Sequence, residues 1–354
     1  MFPNPQDALP LPSHPSLAHY RKLAKDLVKA CKSDPSAIGA WADRWMQSLL
    51  DRSDRRHVDR AASAVAEFAT KTLKGKERGC VLADAQFVLA RSLGFTNWAT
   101  FAAHMEALGQ DSEAAAFEAA AEAIVRGDEA TLQQLLRRHP DLIRARSARE
   151  HRATLLHYVS ANGVENYRQQ SPPNAARITE LLLAAGADVE AEADVYGGGA
   201  TTLGLVATST PPRAAGVQIP VIDVLLDHGA QIEQPNASKF GGAIYACLAN
   251  GCPEAARYLA ERGAHFGIVG AAGIGRLDVV QQLVDGADSA RSEMALRYAA
   301  GYGQVDVVRF LLDQGVNVDG HTGDGKTALY YAQLGNHGEV VRVLLERGAQ
   351  ASQT

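Results

Sequence analysis

One short phrase recurs six times in the second half of this 354-residue chain, and it constrains the fold more than any other feature. A leucine-rich stretch runs into Gly-Ala or a close variant. LLAAGA ends at Gly186-Ala187, LLDHGA at Gly229-Ala230 and LAERGA at Gly263-Ala264. LVDGA ends at Gly286-Ala287, LLDQGV at Gly315-Val316 and LLERGA at Gly348-Ala349. Successive glycines lie 43, 34, 23, 29 and 33 residues apart, so a unit near 33 underlies one long and two short spacings. A repeat of this length signals a tandem array whose units bury their apolar faces on one another.

The clearest unit, Gly325 to Ala349, reads as two short helices. Thr327 is placed to cap ALYYAQL, whose small face suits close stacking. Asn336 stands where the chain must turn, and asparagine tolerates the left-handed conformation that glycine usually supplies. Val340, Val341, Leu344 and Leu345 then share one helical face, and Gly348 ends the second helix. Neither helix is long enough to stand alone, so stability must come from neighbouring units.

At these residues the chain resembles the ankyrin repeat family. The family pattern of threonine, leucine, histidine, a pair of alanines and a turn glycine lies on Thr154-Leu155-Leu156-His157 through Gly163. It lies again on Gly325 through Asn336, on Ala299-Ala300 with Gly303, and on Ala271-Ala272 with Gly275. An earlier copy runs from Ala119 to His139 with Gly127 at its turn. The family proline is absent, and the histidine slot holds His157, Gly204, Tyr245, Arg297 and Tyr330. The resemblance implies an all-α solenoid of about seven helix-turn-helix units with short β-hairpin fingers over residues 111–354. It also implies a non-catalytic role, binding a protein partner on the concave face.

Two units depart from the pattern by insertion. Segments 164–176 and 210–220 both fall between the first and second helix, in adjacent units, so they are expected side by side on one face. They and their flanks carry Tyr158, Asn162, Glu165, Tyr167, Arg168, Tyr196 and Arg213, which are the candidate ligand- or partner-binding residues. Ordered loops with aromatic, amide and arginine side chains suit recognition, and the alternative is that they pack on each other. The unit around Gly286 is short, with little room for a finger before Met294.

Residues 1–110 show no repeat and read as a separate helical domain, with helices at about 16–31, 36–50, 55–73, 82–93 and 96–108. Ser36 and Asp54 are candidate N-caps, Gly94 breaks the last pair, and the boundary is placed at Gln110-Asp111-Ser112-Glu113. Leu82, Ala85, Val88, Leu89, Phe95, Trp98 and Phe101 fall on apolar faces. The stretch resembles a small helical module found ahead of repeats in bacterial proteins. This part holds 15 Lys/Arg against 11 Asp/Glu, and the remainder 20 against 29. Neither balance is extreme enough to point to nucleic acid. No apolar run of membrane-spanning length occurs, and the first residues lack a secretory pattern. Four scattered cysteines, Cys31, Cys80, Cys247 and Cys252, make no disulfide scaffold and suit a cytoplasmic protein.

Several motifs invite chemistry. Gly320 to Thr327, GHTGDGKT, fits the phosphate-loop pattern, in which backbone N–H groups cradle phosphate and the lysine neutralises it. That loop needs a preceding strand and a long helix after it, whereas these residues are also the finger and entry turn of a repeat. The glycines from Gly267 to Gly275 mimic a dinucleotide loop, yet Gly275 sits at an interhelical turn. Cys247 falls on a packing position and reads as a buried thiol. LARSLGFTNWATF could pass for a helix-turn-helix offering Asn97 and Thr100, but Trp98 and Phe101 read as core. No nucleophile elbow or paired catalytic carboxylate motif is readable, so no cofactor and no catalysis are expected. Two other roles remain open: a small-molecule or catalytic site in the insertion lobe, and nucleic-acid binding by the first domain. Because the phosphate-loop match is explained by the repeat, Lys326→Ala is expected to leave stability nearly unchanged. Calorimetry with magnesium-ATP checks this: binding by the wild type that the variant loses would restore the nucleotide reading.

Overall fold

The computed structural model describes residues 2–11, 16–33, 36–50, 55–74, 80–109, 112–233, 242–265 and 267–350. The chain divides into two compact units, Met1–Leu205 and Val206–Thr354. Helices dominate both, and a single two-stranded ladder is found among the described residues.

The first unit begins with α1 (Leu17–Ser33), α2 (Ala37–Leu49), α3 (Arg55–Lys74), α4 (Leu82–Ser92) and α5 (Trp98–Leu108), close to the expected bounds. Their core is aromatic-rich: Tyr20, Trp41, Phe95 and Phe101 are buried with Leu27, Ile38, Met46 and Leu89. Tyr20 meets Phe101 edge-on at 5.0 Å between ring centroids, the geometry that ring quadrupoles favour. Gly94 separates α4 from α5 at φ +85°, a backbone that side-chain-bearing residues rarely adopt. Leu82 is exposed rather than buried, because it opens α4 ahead of the buried Ala85, Val88 and Leu89. Ser36 precedes α2 without a capping bond from its side chain. Asp54 and residues 110–111 lie outside the described residues. Asn97 and Thr100 cap α5 reciprocally, so the polar atoms that a helix-turn-helix would present are held by their own backbone. A disulfide joins Cys31 at the end of α1 to Cys80 ahead of α4. The expectation of unpaired cysteines therefore holds for the buried Cys247 and Cys252 and not for this pair, which the packing of α1 on α4 brings together.

Seven helix-turn-helix pairs follow. In order they begin with α6 (Glu113–Arg126) and α7 (Glu129–Arg138), then a 3-10 helix at Leu155–Ser160 with α8 (Ala175–Ala184). Next come β1 (Glu192–Ala193) and β2 (Ala200–Thr201), then α9 (Thr202–Ala207), the inserted α10 (Thr210–Ala214) and α11 (Gln218–Asp227). The series ends with α12 (Gly242–Ala249) and α13 (Pro253–Glu261), α14 (Ile268–Ile274) and α15 (Leu277–Leu283), α16 (Ser289–Gly301) and α17 (Val305–Asp313), and α18 (Ala328–Leu334) and α19 (Gly338–Glu346). The finger β1–β2 is antiparallel, pairing Glu192 with Thr201 and Ala193 with Ala200. In the short unit, Asp288 caps α16 directly and its side chain accepts from Arg291 N–H, so added helix replaces the finger.

Each pair turns through a left-handed residue: Gly127, Gly163 with Ala161 before it, Gly216, Gly251, Gly275, Gly303 and, as expected, Asn336 at φ +56°. The turn leaves first-helix carbonyls without a partner of their own. The next pair supplies one: Gln304 Nε2 donates to the Gly273 carbonyl at 3.1 Å, and His337 Nε2 lies 3.0 Å from that of Gly301. Asn174 Nδ2 reaches back to the turn itself, donating at 3.0 Å to the Gly127 carbonyl, which also accepts from Glu129 N–H. A Cβ at Gly303 would stand 2.6 Å from His337 Nδ1, so both the backbone angle and the close approach require glycine there.

The suspected nucleotide motifs are absorbed by this architecture. Thr327 accepts from Tyr330 N–H at 3.3 Å as the N-cap of α18, and Lys326 pairs with Asp324 at 2.9 Å. Gly267 to Gly275 is the helix α14 and its turn, with Ala271 and Ala272 buried. Leu344 is fully buried in a core continuous from Ile268 to Ala349. Leu344→Ala is expected to cost about 2–5 kcal/mol. In a quasi-linear array that loss stays local. Hydrogen exchange should show α18 and α19 losing protection first while α1–α5 keep theirs; uniform loss would contradict the array.

Candidate functional site

The insertion after Gly163 folds inward. A turn of 3-10 helix at Asn166–Arg168 carries Glu165 and Arg168 beneath α6, where Glu165 is fully buried and Arg168 is 7% exposed. Arg168 Nη1 lies 2.7 Å from Glu118 Oε2 on α6 and 3.4 Å from Glu165 Oε1. Arg149, 1% exposed, places Nε 2.7 Å from Glu165 Oε1. Its Nη1 donates to the Leu93 carbonyl at 2.6 Å and its Nη2 to the Tyr167 hydroxyl at 3.1 Å. The Tyr158 hydroxyl donates to Glu165 Oε1 at 3.4 Å, and His151 Nε2 is 3.5 Å from the same oxygen. The Arg168 guanidinium also lies over the rings of Tyr158 and Tyr167.

Charges balance in this cluster, with Arg149 and Arg168 against Glu118 and Glu165. Burial alone would push the Glu165 carboxyl up, but Arg149, then His151 and Arg168, hold it well below the usual range. Glu118 is governed alike, with Arg168 and Arg149 outweighing burial. Burial keeps the His104 imidazole below its ordinary value, and it pushes the Tyr158 hydroxyl well up. These carboxylates are therefore ionised, neutralised and enclosed. That arrangement locks the insertion onto α6 and the α4–α5 turn.

His157 holds the motif's histidine position as a capping residue. Its Nδ1 accepts from Thr154 N–H at 3.1 Å and its Nε2 lies 3.3 Å from the Ala200 carbonyl. Burial brings its pKa down to about 4, so it is neutral at neutral pH.

The seven sequence-derived candidates thus divide. Tyr158, Glu165 and Arg168 are buried in the ionic cluster, out of reach of a large partner, with Tyr167 beside them. Asn162 and Tyr196 meet instead at the finger, where the Tyr196 hydroxyl donates to Asn162 Oδ1 at 2.6 Å. Tyr196 is 63% exposed and leads into three glycines of positive φ. Arg213 belongs to the second unit. It is exposed on α10 and donates from Nη1 to the Gly251 carbonyl.

The second unit carries a row of tyrosines on its first helices. Tyr245 on α12 and Tyr298 on α16 stand 5.4 Å apart between centroids, although α14 lies between them in the series. Gly270 on α14 occupies the register that Tyr298 holds on α16 and Tyr331 on α18, counted back from the turn residue, so it adds no side chain to the row. Tyr302 follows Tyr298 by one turn at 6.4 Å and donates to the Leu248 carbonyl. Tyr330 and Tyr331 on α18 meet at 5.3 Å, and Lys326 Nζ lies 5.5 Å from the Tyr330 ring centre. All five rings are partly exposed. Sequence reasoning noted Tyr245 and Tyr330 only as occupants of the histidine slot. The signal that reveals the row was tyrosine at two adjacent registers, Tyr245 with Tyr330 six residues before the turn and Tyr298 with Tyr331 five before it.

A family model described as ankyrin repeats, in three copies, matches residues 268–354. Among solved structures, the human ASB11 ankyrin repeat domain is similar to 67% of this chain and 99% of that one, at 22% identity and a TM-score of 0.40. No curated protein matches.

The two arginines of the insertions should respond differently to truncation. Arg168→Ala removes the close counter-charge of Glu118 and leaves the enclosed cluster one positive charge short, and it is expected to cost about 3–5 kcal/mol. Arg213→Ala removes an exposed side chain and is expected to stay within about 0.5 kcal/mol of the wild type. Urea denaturation of both variants checks this; equal effects would refute the division.

Proposed function

Because residues 268–354 carry ankyrin repeats, we propose that this chain binds a protein partner, without catalysis, on the tyrosine-bearing face of α12, α16 and α18. The observation that carries the reading is the row itself: Tyr245, Tyr298, Tyr302, Tyr330 and Tyr331 are partly exposed on three first helices, with ring contacts joining Tyr245 to Tyr298 across units and Tyr298 to Tyr302 and Tyr330 to Tyr331 within them. A tyrosine offers a large, rigid apolar plane and a hydroxyl that both donates and accepts. Its ordering costs little entropy, and for these reasons tyrosine is enriched where interfaces hold most of their energy. Burial and the neighbouring Tyr245 hydroxyl push the Tyr298 hydroxyl up. At neutral pH it is a hydrogen-bonding phenol and not a nucleophile.

Packing within each unit explains why these residues are available. The apolar faces of the first helices are spent on their neighbours through Ala299, Ala300, Leu329 and Ala332, all buried. The tyrosines lie on the face left over. Second-helix positions such as Arg309 instead pair with exposed carboxylates, here Glu339 at 3.5 Å.

A photo-activatable phenylalanine analogue placed at Tyr298 and, separately, at Arg309 tests the surface in cells that express the chain. Cross-links to one partner are expected from position 298 and not from 309, and Tyr245→Ala with Tyr331→Ala should remove the partner while the melting temperature holds. Cross-linking from 309 alone would place the interface elsewhere.

A further inference from the structure

The first unit carries a trough of about 510 Å³ where α1 lies against α2. On α1 it passes Leu23 and Ala30, and on α2 Ala37, Ala40, Trp41 and Trp45, so each helix gives it one continuous stripe. From Ala37 to Ser48 it follows α2 for about 16 Å of helix axis. Its floor is apolar: Trp41 and Trp45 are 2% and 3% exposed, with ring centroids 5.4 Å apart.

The polar groups along this floor are mostly unspent donors. Trp41 gives its indole N–H to the Leu23 carbonyl at 3.3 Å. The Trp45 N–H has no acceptor among the described residues and is not closed off from solvent, although Trp45 as a whole is buried. Lys29 on the α1 wall and Arg44 on the α2 wall are exposed, and neither has an ion pair or hydrogen bond among the described residues. The hydroxyls of Ser33 and Ser48 turn back to their own helices, donating to the Ala30 and Trp45 carbonyls at 2.9 and 2.7 Å. His19 also lines the trough, with its ring edge-on to Tyr20. Among the described residues the one carboxylate of the lining is Asp26.

We propose that this trough docks an amphipathic helix of a protein partner, with apolar residues along the floor and carboxylates facing Trp45, Lys29 and Arg44. A long trough walled by two helices takes a file of side chains spaced by three and four residues, as a third helix seats its ridge in a groove. Charge complementarity selects an acidic helix, since Lys29, Arg44 and the Trp45 N–H face only Asp26. A purely apolar helix is disfavoured, because it would cover the Trp45 N–H without giving it an acceptor. This reading uses other residues than the tyrosine row and is independent of it.

The full chain, panned against displayed helical peptides, provides the test. The library is apolar at every third or fourth position and randomised among glutamate, glutamine and lysine elsewhere. Glutamate is expected to dominate beside the apolar stripe of the enriched peptides. Ala40→Tyr fills the trough from an exposed position and should weaken them at least about tenfold, with the melting temperature unchanged. Arg44→Glu should also weaken them, by a larger factor at low salt than at high salt. Trp45→Phe keeps a ring and removes the N–H. It should weaken peptides with a central glutamate by about tenfold and leave their alanine counterparts unchanged. Should a variant lose its fold, the peptide side decides: glutamate-to-glutamine exchange must weaken binding to the wild type, and unchanged affinity would overturn the proposal. Enrichment of lysine, an unenriched library, or binding that survives a folded Ala40→Tyr would overturn it too. So would displacement of the peptides by 2-naphthoate, a planar aromatic acid, because the trough would then be a small-molecule site.

Discussion

The bond that one helix pair makes to the open end of the previous pair is the interaction on which the array depends. A short first helix ends in carbonyls it cannot satisfy, and the left-handed turn that follows leaves them facing the next unit. Gln304 and His337 each donate to such a carbonyl. Because the donor must come so close, the turn residue has no room for a side chain at Gly303. Backbone angle, hydrogen bond and steric fit therefore select the same residue, and the agreement makes a chain of marginal helices cooperative.

The ionic cluster solves a different problem. An insertion ahead of α8 would ordinarily be a loose loop, and here it is drawn beneath α6 by two arginines and two glutamates of equal and opposite charge. Enclosing four charges is expensive, and it is tolerated because each finds partners at close range: Arg149 alone reaches Glu165, Leu93 and Tyr167. Such a cluster contributes specificity of arrangement more than net stability. Through Arg149 it also ties the repeat region of the first compact unit to the helices α4 and α5.

Function falls to what this packing leaves unoccupied. In the second unit the alanine pairs of the first helices meet their neighbours, and the tyrosines one position away look outward. On the reading proposed here, the repeat period sets where partner-facing side chains stand, and the residues that do not pack differ from unit to unit.

Local order was legible in the residues. The helix bounds of residues 17–108, the turns at Gly127, Gly163, Gly275 and Gly303, the cap at Thr327 and the left-handed Asn336 all follow from periodicity and from the chemistry of single positions, which act over a few residues. The burial of Glu165 and Arg168 was not legible, because a charged side chain reads as solvent-facing until its counter-charge is known. For Arg168 that partner is Glu118, fifty positions away on α6, and for Glu165 it is Arg149. The pairing of Cys31 with Cys80 was hidden for the same reason, since only the packing of α1 on α4 brings the two sulfurs together. Repeat and turn are written in short-range constraints. Which charges are enclosed, which thiols meet and which tyrosines touch across units depend on distances that exist only once the helices are stacked.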